Sequence, residues 1–167
     1  STALNWSTLR FTGFGFGDTL RSLEPPRSYF ETIFPVTING KSFEVHFEAS
    51  LDLATGRLRA ILRSIDPQTS LPPDVLTGFL PPEDGTGRGQ GFVEYTVEPR
   101  SGLPGGTEIR NVALISFDRQ PSISTDQIDP LNPAAGVSPR KQALVTLDTD
   151  VPSSAVFPLP ATVPTPD

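Results

Sequence analysis

The sequence predicts an all-β protein, an antiparallel β-sandwich or a barrel with long loops. Its 167 residues include 19 prolines and 14 glycines, and both residue types are costly inside a helix. Short segments of alternating apolar and polar residues are separated by turn signals, of which Asn39-Gly40 is the strongest. Strands at short spacing with turns between them are typical of sandwiches and barrels.

The first predicted strand is Leu4–Phe11, and a segment of alternating glycine and phenylalanine follows over residues 13–18. If this segment is extended, Phe14 and Phe16 lie on one face and bare glycines on the other. Residues 19–28 are predicted as a loop, because a proline pair interrupts any regular element there.

Ser28–Ile38 is rich in β-branched and aromatic residues, and Pro35 makes it an edge strand or a bulged one. Asn39-Gly40 then predicts a hairpin into a half-buried strand. The apolar members of that strand are Phe43, Val45 and Phe47, and its polar members are Glu44, His46 and Glu48. Thr55-Gly56 predicts a further turn, and Leu58–Ile65 the next strand, with its arginines on one side.

Residues 66–91 form a long connection, which we expect to pack locally because structureless loops of such length are unusual. Its apolar residues are Leu71, Val75, Leu76, Phe79 and Leu80. Three more strands are predicted after it. They are Phe92–Val97, then Thr107–Phe117 as the longest of all, and finally Gln142–Leu147.

Length and composition bound the organisation of the chain. We predict one sandwich domain over residues 1–150 and an extended proline-rich linker over residues 151–167. The net charge of −6 argues against nucleic-acid binding, which needs a basic patch. The absence of cysteine excludes disulfides and cysteine-ligated metals. No apolar run approaches the length of a membrane span, so membrane insertion is not expected.

The residue patterns do not predict catalysis. The one histidine, His46, is predicted on the wet face of a strand, and no Gly-x-Ser-x-Gly motif is present. Glu83 and Asp84 are neighbours on one loop, whereas glycosidase carboxylates face each other across a cleft. The glycines of residues 85–91 recur at every second position, which is typical of an extended chain and not of a phosphate loop. We expect a protein that is not an enzyme.

Acidic loop residues are the stronger binding candidates. Calcium takes several oxygen ligands, and loops at the ends of a sandwich supply carboxylates and carbonyls. We predict a calcium site at Glu83, Asp84 and Asp118, and no other cofactor. Further loop acids are Asp18, Asp126, Asp129, Asp148 and Asp150. The alternative is ordinary turn chemistry, in which an aspartate caps its own backbone.

Two other patterns each allow a binding site and a simpler interpretation. Glu44, His46 and Glu48 share one strand face and carry metal-ligating atoms, but parallel side chains do not converge on one ion, which favours a solvated face.

The aromatic residues Trp6, Tyr29 and Tyr95 allow a carbohydrate-stacking platform. Because they are scattered through the chain, packing in the core or at a sheet edge is the favoured interpretation.

The stretch Gly78–Val97 joins a proline pair, two acids and alternating glycines to a patterned strand. It resembles a family of uncharacterised modules in very large secreted bacterial proteins, notably of cyanobacteria and planctomycetes. The resemblance covers roughly residues 4–120. The other matching segments are LNWST from Leu4, GFGD from Gly15, SIDP from Ser64, GLPGGT from Gly102 and ALISFD from Ala113.

This resemblance implies an immunoglobulin-like β-sandwich, an extracellular or cell-surface location and no known catalysis. Family members carry further strands before the segment that resembles Leu4–Thr8, which implies a sandwich without its first strands. We therefore expect a structural or adhesive module. Its expected partners are neighbouring modules or identical chains, joined by strand complementation. The alternative is a calcium- or carbohydrate-binding module, with glycans as partners.

Overall fold

The computed structural model describes residues 2–74, 76–118 and 120–150. The chain divides into two compact units, Ser1–Ser101 and Gly102–Asp167. The strands of the described residues all pair in antiparallel ladders, and their helical structure is limited to two short 3-10 turns. The predicted all-β class is thereby confirmed. Within these ranges no helix combines the length and apolar character that crossing a bilayer requires.

The first unit contains six strands among its described residues. They are β1 (Leu4–Phe16), β2 (Thr19–Arg27), β3 (Phe30–Ile38), β4 (Lys41–Asp52), β5 (Arg57–Ile65) and β6 (Gly91–Pro99). They make two three-stranded sheets, with the strand orders β2-β1-β6 and β3-β4-β5. The central strands β1 and β4 supply most of the buried residues, so the two sheets pack face to face as a sandwich.

Two turns set the register of the second sheet. Asn39 and Gly40 have φ angles of 52° and 76°, the left-handed pair that a tight hairpin requires. At the next turn Gly56 has φ 66°, and its amide donates to the carbonyl of Asp52 at 2.8 Å. Both turns, and the alternation of buried and half-exposed residues along β4, confirm the sequence predictions.

The core is an aromatic stack between the sheets. Phe14 of β1 lies on Phe47 of β4, with ring centroids 4.1 Å apart and planes inclined by 18°. Phe34 of β3 stacks on Phe14 and on Phe16, at 5.6 and 5.7 Å between centroids. Phe14 and Phe16 therefore share the buried face of β1, as the glycine-phenylalanine alternation predicts.

The prediction of a loop over residues 19–28 is wrong. Most of this stretch is the edge strand β2, which pairs with β1 and buries Leu23. Its two prolines are tolerated because one side of an edge strand makes no ladder bonds, and the register with β1 shifts between Phe11 and Gly13. Strand β1 also continues to Phe16, beyond the predicted boundary.

The connection between β5 and β6 lies at the end of the sandwich where β1 reaches its hairpin. Phe79 contacts Phe16 edge-on, with ring centroids 5.3 Å apart, and Leu80 packs against the same core. Leu71 and Leu76 are exposed, and Val75 lies outside the described residues. Local packing thus involves the second half of the connection.

The described residues of the second unit form four short strands and two 3-10 turns. The strands are β7 (Glu108–Asn111), β8 (Leu114–Ile115), β9 (Ile123–Ser124) and β10 (Ala143–Thr146). They pair as β7 with β10 and β8 with β9. One long strand over Thr107–Phe117 is a wrong prediction, because Ala113 turns aside to exchange hydrogen bonds with Thr125. The predicted strand near the C-terminal end, Gln142–Leu147, is confirmed as β10.

The two facing sheets end at Pro99, whereas the domain predicted from the sequence extends over residues 1–150. Among the described residues of the second unit, those that are buried are polar, Asp126 and Gln127. Short ladders without a buried apolar face do not add a layer to a sandwich. The predicted linker, residues 151–167, lies outside the described residues.

Candidate functional site

The loop before β6 is built around one carboxylate. Glu83 accepts hydrogen bonds from the backbone amides of Gly85 at 2.7 Å, Gly87 at 2.9 Å and Gly89 at 3.0 Å. Gly85 and Gly87 have φ angles of 90° and 87°, which only glycine adopts readily. The expectation of an extended chain here is wrong, since alternate left-handed residues curl the backbone around Glu83.

The amides of this loop tune the acidity of Glu83. The hydrogen bond from Gly87, with those from Gly85 and Gly89, lowers the pKa of Glu83, against opposing effects of desolvation and of the Asp84 charge. Asp84 accepts from the Thr86 hydroxyl and amide and lies 3.5 Å from Arg88 Nε. Both carboxylates are therefore engaged within their own loop.

Exchanging Glu83 for glutamine tests this arrangement. Because the pKa of Glu83 is lowered, the charged carboxylate stabilises the loop fully above pH 4.5, which is the ordinary pKa of a glutamate. This stabilisation is lost as the pH falls through the lowered pKa. We expect the amide resonances of Gly85, Gly87 and Gly89 to titrate below pH 4.5 in the wild-type chain. In Glu83→Gln those shifts should be absent.

The matched control is Asp74→Asn, which removes a carboxylate elsewhere in the same connection. Asp74 pairs with Lys41 and bonds the Leu76 amide at 2.9 Å. Its loss should leave the glycine titration in place. A titration that survives Glu83→Gln would contradict the assignment.

The structure does not join the three predicted calcium ligands within one unit. Glu83 and Asp84 share the loop of the first unit, and Asp118 belongs to the second, at φ 49°. In the part of the chain that the structure describes, no group of three or more metal-ligating residues is assembled. Calcium binding stays a prediction, which a rise in unfolding temperature with calcium, reversed by a chelator, would support.

The outer face of β4 carries the row of polar residues predicted from the sequence, Glu44, His46 and Glu48. His46 Nε2 lies 3.0 Å from Glu44 Oε2, and both side chains are about one-third exposed. In the ladders, His46 lies between Ile33 of β3 and Arg63 of β5, and Glu48 lies opposite Glu31. The row is a half-solvated sheet face with a local histidine–glutamate pair.

The three scattered aromatic residues have different surroundings. Trp6 packs against the core, and its ring occupies the space where Gly56 has no side chain. Tyr95 also packs against the core. Tyr29 is half exposed and donates to Glu31 at 3.0 Å. Two of the three rings are therefore used in packing.

The second unit is organised by Asp126. Its carboxylate accepts from the hydroxyl of Ser124 and from the amide nitrogen of Gln142 at 2.9 Å, and the Ser124 bond is the main cause that lowers the pKa of Asp126. Lys141 Nζ donates to the carbonyls of Gln127 and Ile128, both at 2.8 Å. These bonds tie β9 to the segment before β10.

Sequence reasoning missed the exposed apolar surface of the second unit. Leu114 and Leu131 are 74% and 93% exposed, and Leu144 and Val145 of β10 are exposed as well. The predicted strands Thr107–Phe117 and Gln142–Leu147, which contain Leu114, Leu144 and Val145, imply a buried apolar face, and the short ladders do not supply one. The sequence signal for this exposure is the small number of strands that are available to cover these side chains.

Comparison with protein-family models, with curated proteins and with solved structures found no match.

Proposed function

We propose that the chain is a non-catalytic structural or adhesive module of a large extracellular or cell-surface bacterial protein. It works by associating with neighbouring modules or with identical chains. The observation that supports association is the large number of exposed apolar side chains in the second unit, where Leu114, Leu131 and Val145 are 74%, 93% and 61% exposed. An accumulation of exposed large apolar side chains is typical of interaction sites, whereas single ones are not informative.

The ladder of β7 and β10 also supports association with a neighbouring module or chain. Its cross-strand pairs include Ile109 with Val145 and Arg110 with Leu144, and every residue of β10 is exposed. A two-stranded ribbon is marginally stable alone and gains from a further strand or a packed layer. Strand addition by a neighbouring module supplies both.

The immunoglobulin-like identity of the sandwich is also part of this proposal, and it comes from the resemblance of the sequence. Immunoglobulin sheets have the strand sets ABED and CFG, whereas here the consecutive strands β3, β4 and β5 share one sheet. The proposal rests on a sandwich with exposed apolar ladders and does not need the immunoglobulin strand order. The bacterial surface location rests on the resemblance of Gly78–Val97 and its companion segments.

Polar substitution of the exposed ladders tests the proposed function. We expect Leu114→Ser combined with Val145→Ser to weaken binding of the chain to immobilised wild-type chain by at least about tenfold, because apolar contact area is lost at the interface. The unfolding temperature at low concentration should change little, since both side chains are exposed.

Leu53→Ser is the matched control, since Leu53 is 64% exposed in the turn after β4 of the first unit. It should bind as the wild type does. Equal binding by Leu114→Ser/Val145→Ser would remove the support that the second unit gives to the proposal.

A further inference from the structure

We propose that the side of the first unit formed by β5 and β6 binds the same side of a second copy of this chain. The result is a two-fold dimer in which β5 of each copy pairs with β6 of the other. This inference rests on the proposed function, because it names an identical chain as the partner and adds a surface of the first unit to the apolar surface of the second unit.

The four edge strands of the sandwich differ in their capacity to accept a further strand. Strand β2 carries Pro25 and Pro26, and β3 carries Pro35. Proline has no amide donor, so both edges are poor templates for strand addition. Strands β5 and β6 each have nine residues and carry no proline before the terminal Pro99. Among the described strands, β5 pairs with β4 alone and β6 with β1 alone.

The short link between β2 and β3 places the two open edges on one side. Strand β2 ends at Arg27 and β3 begins at Phe30, so two residues, Ser28 and Tyr29, cross from one sheet to the other. Three residue steps span at most about 11 Å, which is little more than the separation of about 10 Å between packed sheets. The edges β2 and β3 therefore overlie each other, and β5 and β6 overlie each other on the opposite side.

Strand directions select the symmetry. Phe14 of β1 contacts Phe30 and Phe34 of β3, and Phe16 contacts Phe34, so β1 runs in the direction of β3. Strand β2 is antiparallel to β1 and therefore runs opposite to β3. All ladders are antiparallel, so β6 runs with β2 and β5 runs with β3. A two-fold axis parallel to the strands then brings β5 of one copy beside β6 of the other, antiparallel, at two equivalent junctions. Such an interface closes on itself.

Charge complementarity selects the second copy as the occupant. The exposed outer positions of β5 include Arg59 and Arg63, and those of β6 include Glu94 and Glu98. In one antiparallel register Arg59 lies opposite Glu98 and Arg63 opposite Glu94. Opposite charges facing each other across strands stabilise a sheet, and like charges destabilise it.

The same register matches the remaining side chains. On the outer face Ile65 lies opposite Phe92, which is half exposed. On the inner face Leu62 lies opposite Tyr95, and both pack against the core already. Pairing β5 with β5 about Ile61 would instead place Arg59 opposite Arg63, so the crossed arrangement is favoured.

A charge exchange tests the dimer in the full chain. We expect Arg59→Glu/Arg63→Glu to dimerise at least about tenfold more weakly than the wild type, because both junctions then place glutamates together. Glu94→Arg/Glu98→Arg should be equally weak. An equimolar mixture of the two variants should regain the dimer, since each junction again joins opposite charges. Sedimentation equilibrium measures all three.

The control is Arg21→Glu/Arg27→Glu on β2, which changes two exposed arginines on the proline-bearing side. It should dimerise as the wild type does. A wild-type chain that stays monomeric up to about 0.1 mM would overturn the dimer, since a homodimer with a Kd in that range would be substantially assembled. A mixture that stays monomeric would also overturn it.

Cysteine cross-linking fixes the register, because the chain has no cysteine of its own. Ile61 lies opposite Thr96 in the proposed register, so Ile61→Cys/Thr96→Cys should form a disulfide-linked dimer on oxidation. Ile61→Cys alone should not, and cross-linking by that single variant would show β5–β5 pairing and overturn the proposal. If charge exchange has no effect while Leu114→Ser/Val145→Ser abolishes association, this dimer fails and the proposed function stands.

Discussion

Replacing Phe47 by alanine is expected to lower the free energy of unfolding by about 3–5 kcal/mol. The ring is 1% exposed and stacks on Phe14 between the two sheets. Its removal takes an aromatic group out of the core and leaves a cavity that the paired strands cannot close without breaking their ladders. Denaturant titration followed by circular dichroism measures the change.

Two further variants keep this prediction testable if Phe47→Ala does not fold. Phe47→Leu fills most of the space and should cost less. Phe92→Ala removes a ring that is half exposed on β6 and should cost well under half as much as Phe47→Ala. Similar losses for Phe47→Ala and Phe92→Ala would contradict the location of the core.

Replacing Gly15 by alanine is expected to cost about 1–3 kcal/mol. A Cβ at this position of β1 would lie 2.8 Å from the carbonyl oxygen of Thr19, 2.6 Å from the Phe92 ring and 2.9 Å from Leu20 Cδ2. The Phe92 and Leu20 side chains are able to move aside. The carbonyl belongs to the paired strand β2 and moves only with its backbone, so strain remains. Denaturant titration again supplies the measurement.

Gly78→Ala is the matched control, because no atom lies within 4 Å of its added Cβ and its φ is not left-handed. It should leave stability unchanged or raise it slightly. The double variant Gly15→Ala/Phe92→Ala separates the two causes, since it relieves the ring contact alone. Full recovery relative to Phe92→Ala would show that the Thr19 carbonyl does not contribute.

Several strands follow from local patterns because their signals are local. The Asn39-Gly40 turn demands left-handed residues that few other pairs supply, and the alternation along β4 requires one buried face. Strand β2 and the break at Ala113 do not follow, because both depend on a partner. A proline pair indicates a loop unless the stretch lies at a sheet edge, and the turn at Ala113 depends on Thr125.

The candidate site also combines features that the local sequence predicts with features that depend on the folded chain. The glycines near Glu83 predict an unusual backbone, but their two-residue period is equally typical of an extended chain. Only the folded loop shows that they converge on one carboxylate. The acids predicted to bind calcium together come from both units. Neither the loop composition nor the spacing of acids in the sequence shows which carboxylates the fold brings together.

The stretch from Gly78 to Pro99 by itself determined a loop that leads into a patterned strand, and the wider alternation determined an all-β class. Side-chain period and turn chemistry are properties of neighbouring residues, so one chain suffices to infer them. The tertiary structure alone decided that β6 pairs with β1, and that the proline-bearing strands β2 and β3 lie at the edges of their sheets. Those facts depend on how distant strands meet, and pairing between distant strands is set by packing over the whole core.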